Sequence, residues 1–295
     1  MRKLCVLFIV FASRIVVGQE AIEQADEMYE AEQHPESYEL LKTAIDGASG
    51  AVERAEYFWR LARATMEIGD AEDRAGASDR ALLDRYEEGE SYADQSIELD
   101  PGNYQAYYWK SANSGRWGET KGVLNSLFKA KSMRNLLRDA LARYPEHPAS
   151  FYVLGIMYER VPGGWVSFGN DNYSVSLGRK AIDANAAEIE ADLEDEVKLA
   201  YHTELARHLW ARDWSASKRR KEQGDKLRRY NDEEDILVRH FYYEGTIDIQ
   251  NVSDRDEARE IIQWVIESFE AIPELDQTQI DDYAEARKSY DDWFN

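Results

Sequence analysis

The sequence predicts an all-α chain of stacked helix pairs, and three observations carry that expectation. Helical periodicity runs almost unbroken through 295 residues that hold only six prolines. One helix-turn-helix pattern occurs twice, at Ser96-Ile97-Glu98-Leu99-Asp100-Pro101-Gly102-Asn103 and at Ala140-Leu141-Ala142-Arg143-Tyr144-Pro145-Glu146-His147. In both copies a helix ends on an apolar seam, a proline follows, and an aromatic helix restarts. Counted from each proline, Tyr107 and Phe151 fall at the same offset, so the two restarts share a register. No linker rich in proline, glycine or serine divides the chain.

After the second proline come Phe151, Leu154, Gly155 and Tyr158, an aromatic, leucine, glycine, tyrosine spacing that resembles a tetratricopeptide repeat. Pro101 and Pro145 lie 44 residues apart, against about 34 in a standard repeat, which predicts units carrying insertions. Residues 19–295 therefore read as one helical-repeat domain, a solenoid clearest over 52–183 and degenerate over 187–295, because stacked repeats bury a core only against neighbours. Ala21–Gln33 and Pro35–Ala48 read as an opening pair. Val52–Ile68 follows, closed by Gly69-Asp70, with a loop-like insertion over Ala71–Ser78 and a second helix over Arg80–Leu99. Tyr104–Arg116, Lys121–Tyr144, Phe151–Arg160 and Tyr173–Asp183 continue the series. Punctuation then weakens: Ala187–Ser215, Ser217–Tyr230, Glu233–Tyr243, Ser253–Ile272 and Gln277–Phe294 complete it.

Residues 1–18 read as an export signal, with Arg2 and Lys3 before the apolar run Leu4–Ala12 and small residues at its end. The run is shorter than the ~20 residues of a membrane span; retention as an anchor is the alternative. The expectation is an exported, periplasmic protein with no span after cleavage. Cys5, the only cysteine, would leave with the signal, removing disulfides and thiolate chemistry. The chain has 36 basic and 58 acidic residues, a net charge of −22, and losing Arg2, Lys3 and Arg14 makes it −25. That balance excludes nucleic acid, whose binding draws on clustered lysine and arginine. The dense basic run Lys218-Arg219-Arg220-Lys221, with Lys226, Arg228 and Arg229, reads as a solvated helix face. A docking patch for an acidic partner is its alternative.

Two families built on degenerate repeats resemble this chain. Trp59-Arg60-Leu61-Ala62-Arg63-Ala64, Tyr92-Ala93 before Leu99-Asp100-Pro101, and Tyr107-Tyr108-Trp109 resemble the regulator of microtubule dynamics family, over Tyr38 to about Ala181. Tyr108-Trp109, Ala112-Asn113, Gly115, Trp117, Gly122 and Leu127, with Pro162-Gly163-Gly164, Asp171, Ser174 and Ala181, are similar to the T-component of TRAP transporters. The second resemblance implies a periplasmic helper that oligomerises around a pore and pairs with a substrate-binding protein. The chain lacks that family's lipid-accepting cysteine, and the region after Asn185 has no clear counterpart in it. The export signal is at odds with the first family.

In a tetratricopeptide stack the first helix of each pair lines the concave side. Phe58, Tyr107 and Phe151 hold the fourth position, which turns Trp59, Arg63, Met66 and Glu67, then Tyr108, Ala112, Gly115 and Arg116, then Tyr152, Ile156, Glu159 and Arg160 inward. Residues four or eight apart share a helix face. Trp59, Tyr108 and Tyr152 would thus form an aromatic ladder beside the arginines Arg63, Arg116 and Arg160. Such a groove suits a partner protein or a small anionic or amphipathic ligand, since guanidinium groups bind planar anions in two-pronged fashion. The alternative is packing, with arginine stems covering apolar neighbours. The loop Val161–Asp171 adds Trp165 and Phe168 among Gly163, Gly164 and Gly169. It could cap the groove, fold back on its own repeat, or make contacts in a homo-oligomer.

No catalytic or metal motif appears, so the expectation is a non-enzymatic scaffold without cofactor or metal. His202 and His208, six residues apart, point to opposed sides of a helix and read as structural. The acidic run Glu188–Glu196 could bind a divalent cation loosely, and its alternative is a helix start, where the dipole favours carboxylates. Asn172-Tyr173-Ser174 and Asn251-Val252-Ser253 fit the glycosylation pattern of a eukaryotic exporting cell.

Overall fold

Both proline turns join the second helix of one pair to the first helix of the next. A computed structural model describes residues 19–164, 166–194 and 196–294; residues 1–18, expected to be an export signal, and Trp165 lie outside the described residues. The chain divides at Tyr144/Pro145 into two units, and the described residues are helical in both, without a sheet.

The first unit is three helix pairs: α1 (19–30) with α2 (His34–Ala44), α3 (Ala51–Arg74) with α4 (Asp79–Leu99), and α5 (Tyr104–Lys121) with α6 (Val123–Arg143). From α2 to α6 each helix packs on the next, and α3 also packs on α5, so successive first helices lie side by side, the defining contact of a tetratricopeptide-like array. Local chemistry sets the joints. Ser78 and Asn103 cap α4 and α5 by accepting from the amides of Ala81 and Gln105. Arg143, at the end of α6, donates to the Pro101 carbonyl and stacks 3.9 Å over the Tyr107 ring, clamping the turn that starts α5. Phe58 and Tyr107, the aromatics expected at the fourth position, are buried.

The Gly69-Asp70 stop expected from the sequence does not occur. Helix α3 continues to Arg74, and the insertion shrinks to residues 75–78. Gly69 serves close packing instead: a Cβ there would lie 2.5 Å from Tyr86 Cε1 on α4. Gly89 does the same at the three-helix junction, where a Cβ would fall 2.0 Å from Asn113 Oδ1. Asn113 is fully buried and donates to the Ala62 carbonyl at 3.0 Å, tying α5 to α3.

In the second unit α7 (Pro148–Arg160), α8 (Asp171–Glu190), α9 (Leu199–Arg212), α12 (Asp254–Glu270) and α13 (Gln277–Phe294) carry the pattern on. α9 packs against α7, α8, α12 and α13. Between α9 and α12 in sequence, α10 (Ala216–Asp232), the short α11 (Ile236–Arg239) and a 3-10 segment (His240–Thr246) form an insertion that packs on α8. The helix expected over Ala187–Ser215 is two helices: Asp192 takes the left-handed conformation at φ 55°, and Asn185 Oδ1 accepts from the Lys198 amide across the turn. The acidic run thus sits at a helix end and turn rather than at a helix start.

The basic run on α10 is only partly solvated. Lys218, Arg220 and Lys221 are exposed, but Arg219 and Lys226 turn inward and are buried. They join Arg179 and Arg212 around Glu244, Asp254 and Glu257. Arg212 donates to both Glu244 oxygens at 2.6 and 2.9 Å and to both Asp254 oxygens at 2.7 and 2.8 Å. Burial alone would favour a neutral Glu244, yet Arg212, Arg179 and Lys226 hold its carboxyl well below the usual range. This network fastens the insertion to α8, α9 and α12. It also holds the Asn172 side chain, 3.4 Å from Arg212, within the fold.

Two glycines separate packing from propensity. In the helix interior alanine is favoured over glycine by about 1 kcal/mol, and Gly224 on α10 has open space around it. Gly224→Ala should raise the melting temperature slightly, whereas Gly89→Ala, which collides with buried Asn113, should lower stability by about 2 kcal/mol. Thermal denaturation of both variants against the parent chain measures the contrast.

Candidate functional site

In the first unit the expected inward residues do gather on the face formed by the first helices, α1, α3 and α5. Trp59 and Arg63 from α3 are buried, Tyr108 from α5 is half-buried, and Arg116 is exposed. Sequence reasoning missed the contribution of α1. Asp26 accepts from Arg63 at 2.5 Å and from Arg60 at 2.8 Å, and Tyr29 lies under the Arg63 guanidinium at 3.8 Å. Trp59 is covered in turn, with Arg60 4.1 Å over its ring and its indole N–H given to Glu56. The Trp59 ring is therefore walled in by cations of its own chain.

One pair along, Arg116 reaches back from α5 to Asp70 on α3 at 2.7 Å, with Glu119 at 3.1 Å. Asp70 also accepts from the Tyr86 hydroxyl at 2.9 Å. Beside these lies Glu67, which accepts from Tyr29 at 3.2 Å. Burial, reinforced by the charge of Asp70, pushes the Glu67 carboxyl up to about 7. Burial likewise raises Asp70 and lifts the Tyr108 phenol to about 12. The two arginines of this face are thus neutralised in place, and its poorly compensated charge is acidic.

The second unit repeats the arrangement on α7, α9 and α13. Tyr152 stacks on Tyr201 with ring centres 4.7 Å apart. Arg160, nearly half-exposed, reaches across to Glu204 on α9 at 3.2 Å, and Arg207 joins Glu204 to Glu285 on α13. Phe168 packs edge-on against Tyr158, 5.2 Å between ring centres. The loop that carries Phe168 folds back on its own repeat: the Gly169 amide donates to Pro162 and the Asn170 amide to Tyr158. A Cβ at Gly169 would meet the Val161 carbonyl at 1.7 Å, so only glycine fits. The third rung of the expected ladder therefore belongs to a unit separate from the first two, and each unit builds its own face. Asp26, Tyr29, Tyr201 and Glu204 had no motif to announce them; the i, i+4 spacing of Glu204 and His208 was the one available signal.

Residues 21–161 match the family model described as Regulator of microtubule dynamics protein 1-3, just under half of the chain. Two curated cattle (Bos taurus) proteins are similar. Regulator of microtubule dynamics protein 1 is 26% identical over 145 residues, 49% of this chain and 43% of that protein. Regulator of microtubule dynamics protein 3 is 26% identical over 148 residues, 47% of this chain and 29% of that protein. The matched region spans less than half the length of these relatives. Among solved structures, a thermophilic TPR protein of Thermus thermophilus, TTC0263, aligns at 13% identity with a TM-score of 0.48, covering 78% of this chain and 98% of that one. The MamA RS-1 ArsTM double mutant aligns at 14% identity with a TM-score of 0.42, covering 84% and 96%. Of the two resemblances read in the sequence, the family match falls on the microtubule-regulator one, and no helix of the described residues is long and apolar enough to cross a membrane.

Glu67 gives the first-unit face a pH signature. Its folded-state value, about 7, lies above the ordinary 4.5, so the folded chain binds more protons than the unfolded one between those values. Stability from this group is present at pH 5 and declines as pH rises through 7. Glu67→Gln should stabilise the chain by about 2 kcal/mol at pH 8 and barely change it at pH 5. Urea titrations at the two pH values measure the difference.

Proposed function

We propose that this chain is a non-enzymatic helical-repeat scaffold that binds a protein partner through the face of α1, α3 and α5, presenting a basic segment of that partner to Glu67 beside the Asp70–Arg116 pair. The observation that carries this reading is the pairing of Arg63 with Asp26 and of Arg116 with Asp70. An anionic ligand would have to displace carboxylates already seated on both guanidiniums. A lysine or arginine would instead relieve the unfavourable burial of Glu67. The net charge of −22 steers the same class of partner. The half-buried Tyr29 and Tyr108 supply apolar surface around the acids, and the match to proteins named as regulators of microtubule dynamics supports a macromolecular partner over a small solute. Residues 19–295 act in this reading as one scaffold.

A peptide array of basic and acidic 15-mers tests it with the full chain. Basic peptides should be retained and acidic ones not, binding should weaken as salt rises from 50 to 300 mM, and Asp70→Asn and Glu67→Gln should each reduce retention several-fold. Preference for acidic peptides, or unchanged retention by both variants, would contradict the proposal.

A further inference from the structure

Glu159, at the end of α7, and Glu204 and His208, one turn apart on α9, bring two carboxylates and an imidazole together with one donor atom from each within 4.8 Å of the others. We propose that these three side chains form a binding site for a divalent transition metal, zinc by preference, in the second unit.

The placement is specific. His208 is fully buried where α7, α8 and α9 cross, its ring against Gly155 and Gly178; a Cβ at Gly155 would lie 2.8 Å from Nε2 and one at Gly178 3.0 Å from Cδ2. Those two glycines make room for the imidazole and fix its plane, which turns Nδ1 toward Glu159 Oε2. Glu204 is 3% exposed. Its Oε1 accepts from Arg160 and Arg207, each at 3.2 Å, while its Oε2 is buried with no hydrogen-bond partner. A buried carboxylate oxygen without a partner is costly, and a cation shared with His208 and Glu159 would satisfy it. The two arginines then act as the outer shell that orients a ligating carboxylate through its other oxygen.

The donor set narrows the ion. One imidazole nitrogen and two carboxylates suit zinc, with bonds of about 2.0–2.2 Å, and three protein ligands leave a fourth position open to water or to a group brought by a partner. Magnesium prefers an all-oxygen octahedron with several retained waters. Closing the cluster onto one ion requires donor separations of about 3.4 Å. Rotation of Glu159, on the last turn of its helix, can supply that movement.

Isothermal titration of the metal-stripped full chain with zinc should show one ion bound per chain, undiminished by millimolar magnesium. Glu204→Gln and Glu159→Gln should each weaken zinc binding at least tenfold while leaving the far-ultraviolet circular dichroism unchanged. Anomalous scattering at the zinc edge from crystals grown with zinc should place the ion between α7 and α9, which decides the matter even if a variant misfolds. Absence of zinc binding, equal affinity in both variants, or an anomalous peak at other residues would overturn the assignment.

Discussion

Neighbouring first helices are cross-linked by a guanidinium from one and a carboxylate from the other: Arg63 on Asp26 between α3 and α1, Arg116 on Asp70 between α5 and α3, Arg160 on Glu204 between α7 and α9. The recurrence of arginine at one or two turns beyond the inward aromatic is thus a recurrence of staples. Each staple sits on the face that a repeat array uses for recognition, so the same interaction that holds the array also sets the charge it offers. With the guanidiniums neutralised internally, the surplus charge on that face is acidic. Partly exposed ion pairs contribute little individually, about 0.2–1 kcal/mol, so their role is to fix helix register over a core that the packing of Leu61, Tyr86 and Leu137 already stabilises.

Close helix approach and buried charge divide the remaining structural work between the units. The first unit relies on small residues, with Gly69 under Tyr86 and Gly89 under Asn113 letting three helices meet. The second must also hold an insertion whose longest helix, α10, has little apolar surface, although Phe241 of its 3-10 segment stacks on Tyr173. It does so with Glu244, Asp254 and Glu257 against four cations. Removing one member of such a network would strand the others, since an unpaired buried charge costs several kcal/mol. That dependence ties the insertion to one arrangement.

Helix class, the two proline joints and the inward register of α3, α5 and α7 are legible in the sequence because each is written in local spacing. The end of α3 is not. A glycine that stops a helix and a glycine that admits a neighbouring tyrosine look alike until Tyr86 is placed beside Gly69. Arg219 and Lys226 escape for a related reason: their partners lie 18 to 38 residues away, on the 3-10 segment and α12. Periodicity places the inward arginines on the face, but the acids that occupy them come from neighbouring helices, and no spacing within one helix reveals those. His208 reads as structural in the sequence and is buried, but its neighbour Glu159 comes from another helix, so only Glu204, one turn back, is visible in local spacing.

The staple at Arg116 and Asp70 is the most direct point of test, because one partner is nearly half-exposed and the other is 12% exposed. A double-mutant cycle with Arg116→Met and Asp70→Asn, read by urea denaturation, isolates the pair from its surroundings. Coupling of about 1 kcal/mol, with each single variant less stable than expected from the double, is the result predicted here. Additive effects of the two substitutions would mean that Arg116 stands free on the face, and the account of neutralised arginines would be wrong.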